Sequence, residues 1–175
     1  MIVRVTRWTN LISAGITLGA LFAHVLELPN KFSLDGPLWL AVQQHLYWGW
    51  GPFIGAFEVI AIGSAIFLAY LLRHEFTFRR TAMAAALMLA ALAVFFLLNA
   101  PVNQAFAGWT AATLPPDWPD YRLRWEVGHA ISFVLFLAAI ISMVNAWLED
   151  KLVAAFQEGK AKPNTSAMRP SMVHS

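Results

Sequence analysis

Ionisable side chains stand inside two apolar segments of this sequence, near opposite ends of the chain. His24 and Glu27 close the first apolar segment, and Glu126 and His129 open the last one. Residues three positions apart share a face of a helix, so each imidazole lies beside a carboxylate. Ionisable groups at membrane depth are costly and usually face the interior of a bundle or water. We therefore predict that the two pairs form one functional site.

The residue types of these pairs are those of a metal site. Imidazole and carboxylate ligands suit Fe, Mn, Zn or Cu, and the chain has no cysteine that would add a thiolate. Glu-x-x-His pairs also occur in the carboxylate-bridged di-metal proteins built on helical bundles. We expect a metal ion to be held by His24, Glu27, Glu126 and His129.

Three alternatives to this metal site stay open. The site could work without any metal ion, or His24 and His129 could ligate haem from opposing helices. The third alternative is a structural network without chemistry, in which Glu126 pairs with Arg122 one turn back. In that network His24 and Glu27 bond to each other and only fix the helix packing.

Composition places the chain among membrane proteins. Of its 175 residues 59% are hydrophobic and 13% are charged, and the mean hydropathy is +0.58. The length indicates one domain. The net charge of +2 is small, and the basic residues stand at the ends of apolar segments, so no nucleic-acid partner is indicated. The sequence also lacks a phosphate-binding glycine loop and a Ser-His-Asp arrangement.

The apolar segments predict an all-α fold, an integral membrane four-helix bundle within residues 1–150. Pro29 is expected to end the first span, and a loop of about 20 residues is expected after Asn103. Residues 38–50 predict an interfacial helix or a lead-in to the second span. Residues 151–175 predict a mobile cytoplasmic tail. The spans are predicted at about 9–28, 53–72, 81–100 and 127–147.

Basic residues predict the orientation of the bundle. They cluster at the N-terminus, between the second and third spans and in the tail, so the positive-inside rule places both termini in the cytoplasm. We expect a multi-pass protein of the bacterial inner (plasma) membrane, in contact with lipid. The opposite side then carries aromatic-rich outer loops, with Trp39, Trp48, Trp50, Trp109, Trp118 and Trp125.

The same topology brings further polar residues to the depth of the His/Glu pairs, in the outer half of the membrane. Glu58 and His45 are candidates for additional ligands or proton carriers. Arg122, Arg124 and Asn103 are candidates for orienting the polar groups of a substrate. These five residues complete the predicted site.

Four stretches of the sequence resemble a known family. They are His24-Val-Leu-Glu-Leu-Pro-Asn-Lys31, Gln43-Gln-His-Leu-Tyr-Trp-Gly-Trp50, Asn99-Ala-Pro-Val-Asn-Gln104 and Arg122-Leu-Arg-Trp-Glu-Val-Gly-His129. Together they resemble the anthrone-oxygenase-like family of small four-span membrane proteins, over roughly residues 8–148. The resemblance implies oxidation of anthrones to anthraquinones with molecular oxygen.

The sequence therefore favours an oxygenase-like membrane oxidoreductase that acts on a hydrophobic, aromatic small molecule. Without a metal, a His or Glu would act as the base that makes an electron-rich carbanion for reaction with oxygen. The competing hypothesis is a non-catalytic membrane subunit or accessory protein. In that case the polar cluster would organise helix packing or dock a partner subunit or a second copy of the chain.

Overall fold

The computed structural model describes residues 1–161 of the chain and the side chains of residues 1–156, and every regular element in it is a helix. Two short π-helical turns, Val42–Leu46 and Phe95–Asn99, interrupt the α-helical segments. The α-helices are α1 (Ile2–Ser33), α2 (Gly36–Ala41), α3 (Trp50–Leu71), α4 (Phe78–Val94), α5 (Ala100–Ala107) and α6 (Trp118–Ala161).

Four segments of the described chain are long and apolar enough to cross a membrane. They are α1, α3, the continuous segment from α4 to α5, and α6, with mean hydropathies of 1.7, 2.0, 2.5 and 2.3 in their most apolar windows. In the bundle α1 packs against α3 and α6, and α4 packs against the same two helices. The predicted all-α fold with four potential spans is confirmed.

Each end of the bundle has its own character. We call one the terminal end, where α1 begins and where α3 meets α4, and the other the loop end, where α1 and α5 finish and where α3 and α6 begin. At the terminal end Arg7 forms an ion pair with Asp150. Nearby, the rings of Trp8 and Trp147 meet edge to face at 5.0 Å between centroids. These contacts fasten the first span to the last.

Small side chains close the terminal half of the bundle. Ala61 and Ala65 of α3, Ala84 and Ala91 of α4 and Ala139 of α6 are completely buried in one apolar core. Without large side chains between them, helix backbones approach closely, which is how membrane helices gain packing energy. The loop half has no such alanine seam, and it is there that the polar residues gather.

The prediction that Pro29 ends the first helix is wrong. Proline removes one backbone donor and is disfavoured inside a helix, but α1 continues for another turn to Ser33. The guanidinium of Arg122 caps that turn by donating to the carbonyl oxygens of Lys31 and Leu34 at 3.1 and 3.0 Å. Capping these final carbonyls of the helix stabilises the extension.

Two other boundaries differ from those predicted. The third membrane segment does not end between Asn99 and Asn103 but continues through α5, so the following loop is only residues 108–117. The helix α6 continues to Ala161, and the first part of the predicted tail is therefore helical. The rest of that predicted tail, residues 162–175, lies outside the described residues.

Candidate functional site

The imidazoles of the first and last helices meet at the loop end of the bundle. The rings of His24 and His129 stack at 4.3 Å between centroids with an angle of 24° between their planes. The indole of Trp125 stands edge-on to both rings, at 4.9 Å from His24 and 4.2 Å from His129. The structure thus brings together two histidines that are separated by most of the chain.

Tyr47 joins this cluster from the segment between α2 and α3. Gly49 adopts a positive φ of 83°, a conformation that favours glycine, and reverses the chain after the first π-helical turn. The Tyr47 ring then lies 4.8 Å from His24, and its hydroxyl donates a hydrogen bond to Oε2 of Glu27. Burial and this hydrogen bond raise the pKa of Tyr47, so the hydroxyl keeps its proton at neutral pH.

A buried lysine lies between the two carboxylates of the site. Nζ of Lys31 is 2.8 Å from Oε2 of Glu126 and 3.8 Å from Oε2 of Glu27. The exposed fractions of the Lys31 and Glu126 side chains are 4% and 1%, and the ammonium also lies 4.9 Å from the ring centroid of Trp125. An ammonium group therefore stands where the sequence analysis expected a metal ion.

The third membrane segment fixes Trp125. Within the second π-helical turn, Nδ2 of Asn99 donates to the carbonyl oxygen of Trp125 at 2.8 Å, and the Trp125 indole N–H donates to Oδ1 of Asn103 at the same distance. Gly128 makes this approach possible, because a Cβ at that position would overlap the Asn99 amide. π-Helical turns of this kind are frequent at functional sites.

A cavity of about 790 Å³ lies beside the histidine pair. His24 and His129 form part of its wall, and Glu58 of α3 contributes the one acidic side chain among the described residues that line it. Helix α3 stands diagonally across the bundle from α6. Most of the remaining wall is apolar or aromatic, including Leu21, Ile54, Val59, Leu92, Phe95, Phe96 and Phe106.

Several polar atoms in the cavity wall have no hydrogen-bond partner within the described protein. They are Nδ1 of His24, both amide atoms of Gln43 and Oδ1 of Asn99. The exposed fractions of these residues are 6%, 4% and 1%. A buried polar atom without a partner costs about 1–3 kcal/mol. Buried polar atoms without a partner are rare in proteins, so these atoms mark the wall as a candidate binding site.

The observed donor set does not fit a bound metal ion or haem. No group of three or more His, Asp or Glu side chains in residues 1–161 is arranged to hold a metal. Glu27 and Glu126 are engaged by Tyr47 and Lys31, and the stacked histidine rings are too close for a porphyrin between them. The metal therefore remains a prediction from sequence, and no chemical step is derived through it.

Other predicted site residues stand apart from the cavity. His45 is exposed on the first π-helical turn, and Arg124 is exposed and donates to the carbonyl oxygen of Leu97. Neither lines the cavity, and nor does Arg122, whose guanidinium caps α1. The pairing of Glu126 with Arg122 that the structural alternative proposed is replaced by the pairing with Lys31. Direct substrate contact by these three residues is therefore unsupported.

Four residues of the observed site were not predicted from the sequence to take part in it. They are Lys31, Gln43, Tyr47 and Asn99. A signal existed for Lys31, which follows Glu27 by four residues and shares its helix face once α1 is continued past the proline. The other three depend on the approach of distant segments, which has no local signature.

Comparisons with known proteins identify no relative, since no family model matches the chain and neither a curated protein nor a solved structure does.

Proposed function

We propose that the protein is an oxygenase-like integral-membrane oxidoreductase that acts on a hydrophobic, aromatic substrate in the cavity at the loop end. The observation that carries this proposal is the pair of stacked histidines in the wall of a largely apolar cavity of about 790 Å³. Cavities of about 300–1,000 Å³ that combine apolar walls with a few polar groups are usual for small-molecule sites.

The chemistry that the site supports is proton abstraction followed by reaction with oxygen. His24, whose imidazole lines the cavity, removes a proton from a CH₂ group next to a carbonyl of the substrate. The carbanion gives electrons to O₂ and forms a C–O bond, and the resulting hydroperoxide loses water to leave a new carbonyl. The balance is R₂CH₂ + O₂ → R₂C=O + H₂O. Glu58, in the cavity wall on α3, is a second proton carrier.

Oxygen consumption with an added anthrone tests this proposal. The purified protein in lipid nanodiscs is compared with His24→Ala and with the matched control His74→Ala, whose imidazole is exposed in the loop between α3 and α4. General-base catalysis contributes about 10²–10⁴-fold. We expect anthraquinone formation to fall at least about 100-fold in His24→Ala and to stay unchanged in the control.

Two results would overturn the proposal. One is full turnover in His24→Ala, which would remove the base from the mechanism. The other is turnover that a chelator abolishes and one added metal ion restores, which would show that the reaction depends on a metal ion. Insensitivity to chelation together with loss of turnover in His24→Ala supports the metal-free mechanism.

The ion pairs between the first and last spans favour a second candidate function, a non-catalytic membrane subunit. Lys31–Glu126 and Arg7–Asp150 join α1 to α6 at the two ends of the bundle, as a purely structural network would. In this case His24→Ala lowers thermal stability, no oxygen is consumed by any variant, and a partner protein or a second copy co-purifies. Oxygen uptake by the wild-type protein distinguishes the two functions.

The orientation of the bundle is part of the proposal. Basic residues at the terminal end, among them Arg4, Arg73 and Arg79, support a cytoplasmic position for that end, in a bacterial inner membrane. The chain has no cysteine of its own. A single cysteine at exposed Trp48 should therefore react with an impermeant maleimide added outside intact cells, and one at Phe76 should not.

A further inference from the structure

The second and third membrane segments separate at the loop end of the bundle. In the terminal half, α3 packs against α4 through the alanine seam that contains Ala61 and Ala84. Beyond α4, α3 has no extended contact with the π-helical turn Phe95–Asn99 or with α5. The bundle is therefore closed in one half and open between these two segments in the other.

The wall of the cavity reaches the outer surface of the bundle at this gap. Val59 of α3 is 63% exposed and Phe96 of the π-helical turn is 62% exposed, yet both line the cavity. Both residues belong to segments apolar enough to span a membrane. Their exposed faces therefore meet lipid chains rather than water, so the gap is a lateral mouth of the cavity.

The loop end above the cavity is covered by the segment from α2 to the first π-helical turn. The side-chain amide of Gln44 donates to the carbonyl oxygens of Phe106 and Trp109 at 2.8 and 3.0 Å, which ties this segment to the end of α5. The fully buried Trp39 packs against the ring of Trp118 at 5.8 Å between centroids. These contacts form a partial roof over the loop end of the cavity.

The underside of that roof carries an unused amide. Gln43 lines the cavity, and its side-chain amide has a donor and an acceptor that are both unpaired. No Lys or Arg is among the described residues of the wall, and Glu58 is its single acidic group. An anionic ligand would meet a carboxylate without any compensating cation, so the wall selects an uncharged ligand.

We propose that the cavity takes an uncharged, bilayer-dissolved molecule sideways from the membrane, through the mouth between Val59 and Phe96. The molecule carries a hydrogen-bonding oxygen that binds Gln43, and its hydrocarbon remainder lies towards the mouth. The inference rests on the proposed function only in taking this molecule to be the substrate. Gln43 is a binding residue of the site, and Val59 and Phe96 control access to it.

Photolabelling of the whole protein in nanodiscs tests the polar subsite without turnover. The probes are a trifluoromethyl-diazirinyl benzyl alcohol and the corresponding benzoic acid, which is an anion at neutral pH. We expect saturable labelling of cavity residues by the alcohol and little by the acid. A neutral hydrogen bond contributes about 1 kcal/mol. Gln43→Leu should therefore raise the alcohol concentration that gives half-maximal labelling about five-fold. The matched control Gln104→Leu changes an exposed amide and should not weaken it.

A single introduced thiol tests the lateral mouth. Because the chain contains no cysteine, Phe96→Cys and Leu97→Cys can each be modified with a bulky maleimide. The two neighbours are similarly exposed, at 62% and 66%, but Leu97 does not line the cavity. Modification at position 96 should reduce the initial rate of labelling by the alcohol at least five-fold, and modification at position 97 should not. Val59→Cys, from the other side of the mouth, repeats the block if Phe96→Cys fails to fold.

The outcomes separate this inference from the proposed function. Equal labelling by alcohol and acid, or no change in Gln43→Leu, overturns the neutral subsite. Equal rates after modification at positions 96 and 97 overturn the lateral mouth. Cavity labelling as expected in a protein that consumes no oxygen supports the binding site while the oxidoreductase proposal fails. Turnover together with labelling confined to the lipid-facing surface supports the oxidoreductase proposal and overturns the binding of the molecule in the cavity.

Discussion

Replacement of Lys31 by methionine is the sharpest test of the charge arrangement at the site. The substitution keeps an unbranched side chain of similar length and removes the ammonium. Glu126, whose side chain is 1% exposed, then loses the cation at 2.8 Å. Glu27 loses the same cation, which lies 3.8 Å from its Oε2. We expect Lys31→Met to lower the free energy of unfolding strongly.

The geometry of the pair gives the magnitude. At the 2.8 Å between Nζ of Lys31 and Oε2 of Glu126, and with an effective dielectric constant of about 20, the Coulomb attraction is about 6 kcal/mol. Removing one partner from a buried ion pair typically costs about 3–5 kcal/mol, because the remaining charge is left without compensation. Arg80 and Glu149 form a matched control, since their contact is 2.7 Å but their side chains are 49% and 34% exposed. For Arg80→Met we expect about 1 kcal/mol or less.

The assay is reversible unfolding of the purified protein in mixed micelles. SDS is the titrant, and Trp fluorescence is the signal. A double-mutant cycle of Lys31→Met and Glu126→Gln isolates the pairwise term. We expect the double variant to be more stable than Lys31→Met alone, because the uncompensated charge is gone. If Lys31→Met costs no more than Arg80→Met, or if the two substitutions are simply additive, the buried-pair argument is refuted.

Further predictions concern close packing and unpaired groups, all measured by the same unfolding titration. Gly128→Ala should cost about 1–3 kcal/mol by overlap with the Asn99 amide, and Asn99→Ala should relieve part of that cost; an unchanged Gly128→Ala would contradict the contact. Gln43→Leu should leave stability unchanged or raise it, since two unpaired buried polar atoms disappear; a clear loss would mean that the amide is structural. Gly36→Ala should destabilise because its Cβ would meet the side chains of Leu114, in the loop between α5 and α6, and of Trp118 in α6. Gly15→Ala, with nothing within 4 Å, should be neutral or slightly stabilising.

The four membrane segments and the two histidine–glutamate pairs could be identified from sequence for a simple reason. A span requires a long apolar run, which hydropathy reveals directly. Within such a run, an imidazole and a carboxylate three residues apart stand out and share a face. His24 and His129 were therefore found without knowledge of the packing.

The partner of the carboxylates was missed because of one local rule. Proline usually ends a helix, and with that rule applied at Pro29, Lys31 falls in a loop rather than one turn beyond Glu27. The rule is overridden by Arg122, which arrives from the other end of the chain to cap the extra turn. The same capping explains why this arginine does not reach the cavity.

The polar end of the cavity could not be predicted for a different reason. Gln43 is buried only because the segment that carries it forms a roof over the bundle. Asn99 is directed towards Trp125 by a π-helical turn, which depends on the neighbouring helices rather than on residue propensities. Both features arise from tertiary contacts between distant segments.

The fastening of α1 to α6 along their length has a consequence for biogenesis. The ribosome delivers α1 well before α6, so the nascent chain holds Arg7, His24 and Lys31 without Asp150, His129 and Glu126 until α6 has been synthesised. Contacts of such long sequence separation also form slowly. Chains that stall before α6 therefore keep the charges of Arg7 and Lys31 without the carboxylates that pair with them in the folded bundle.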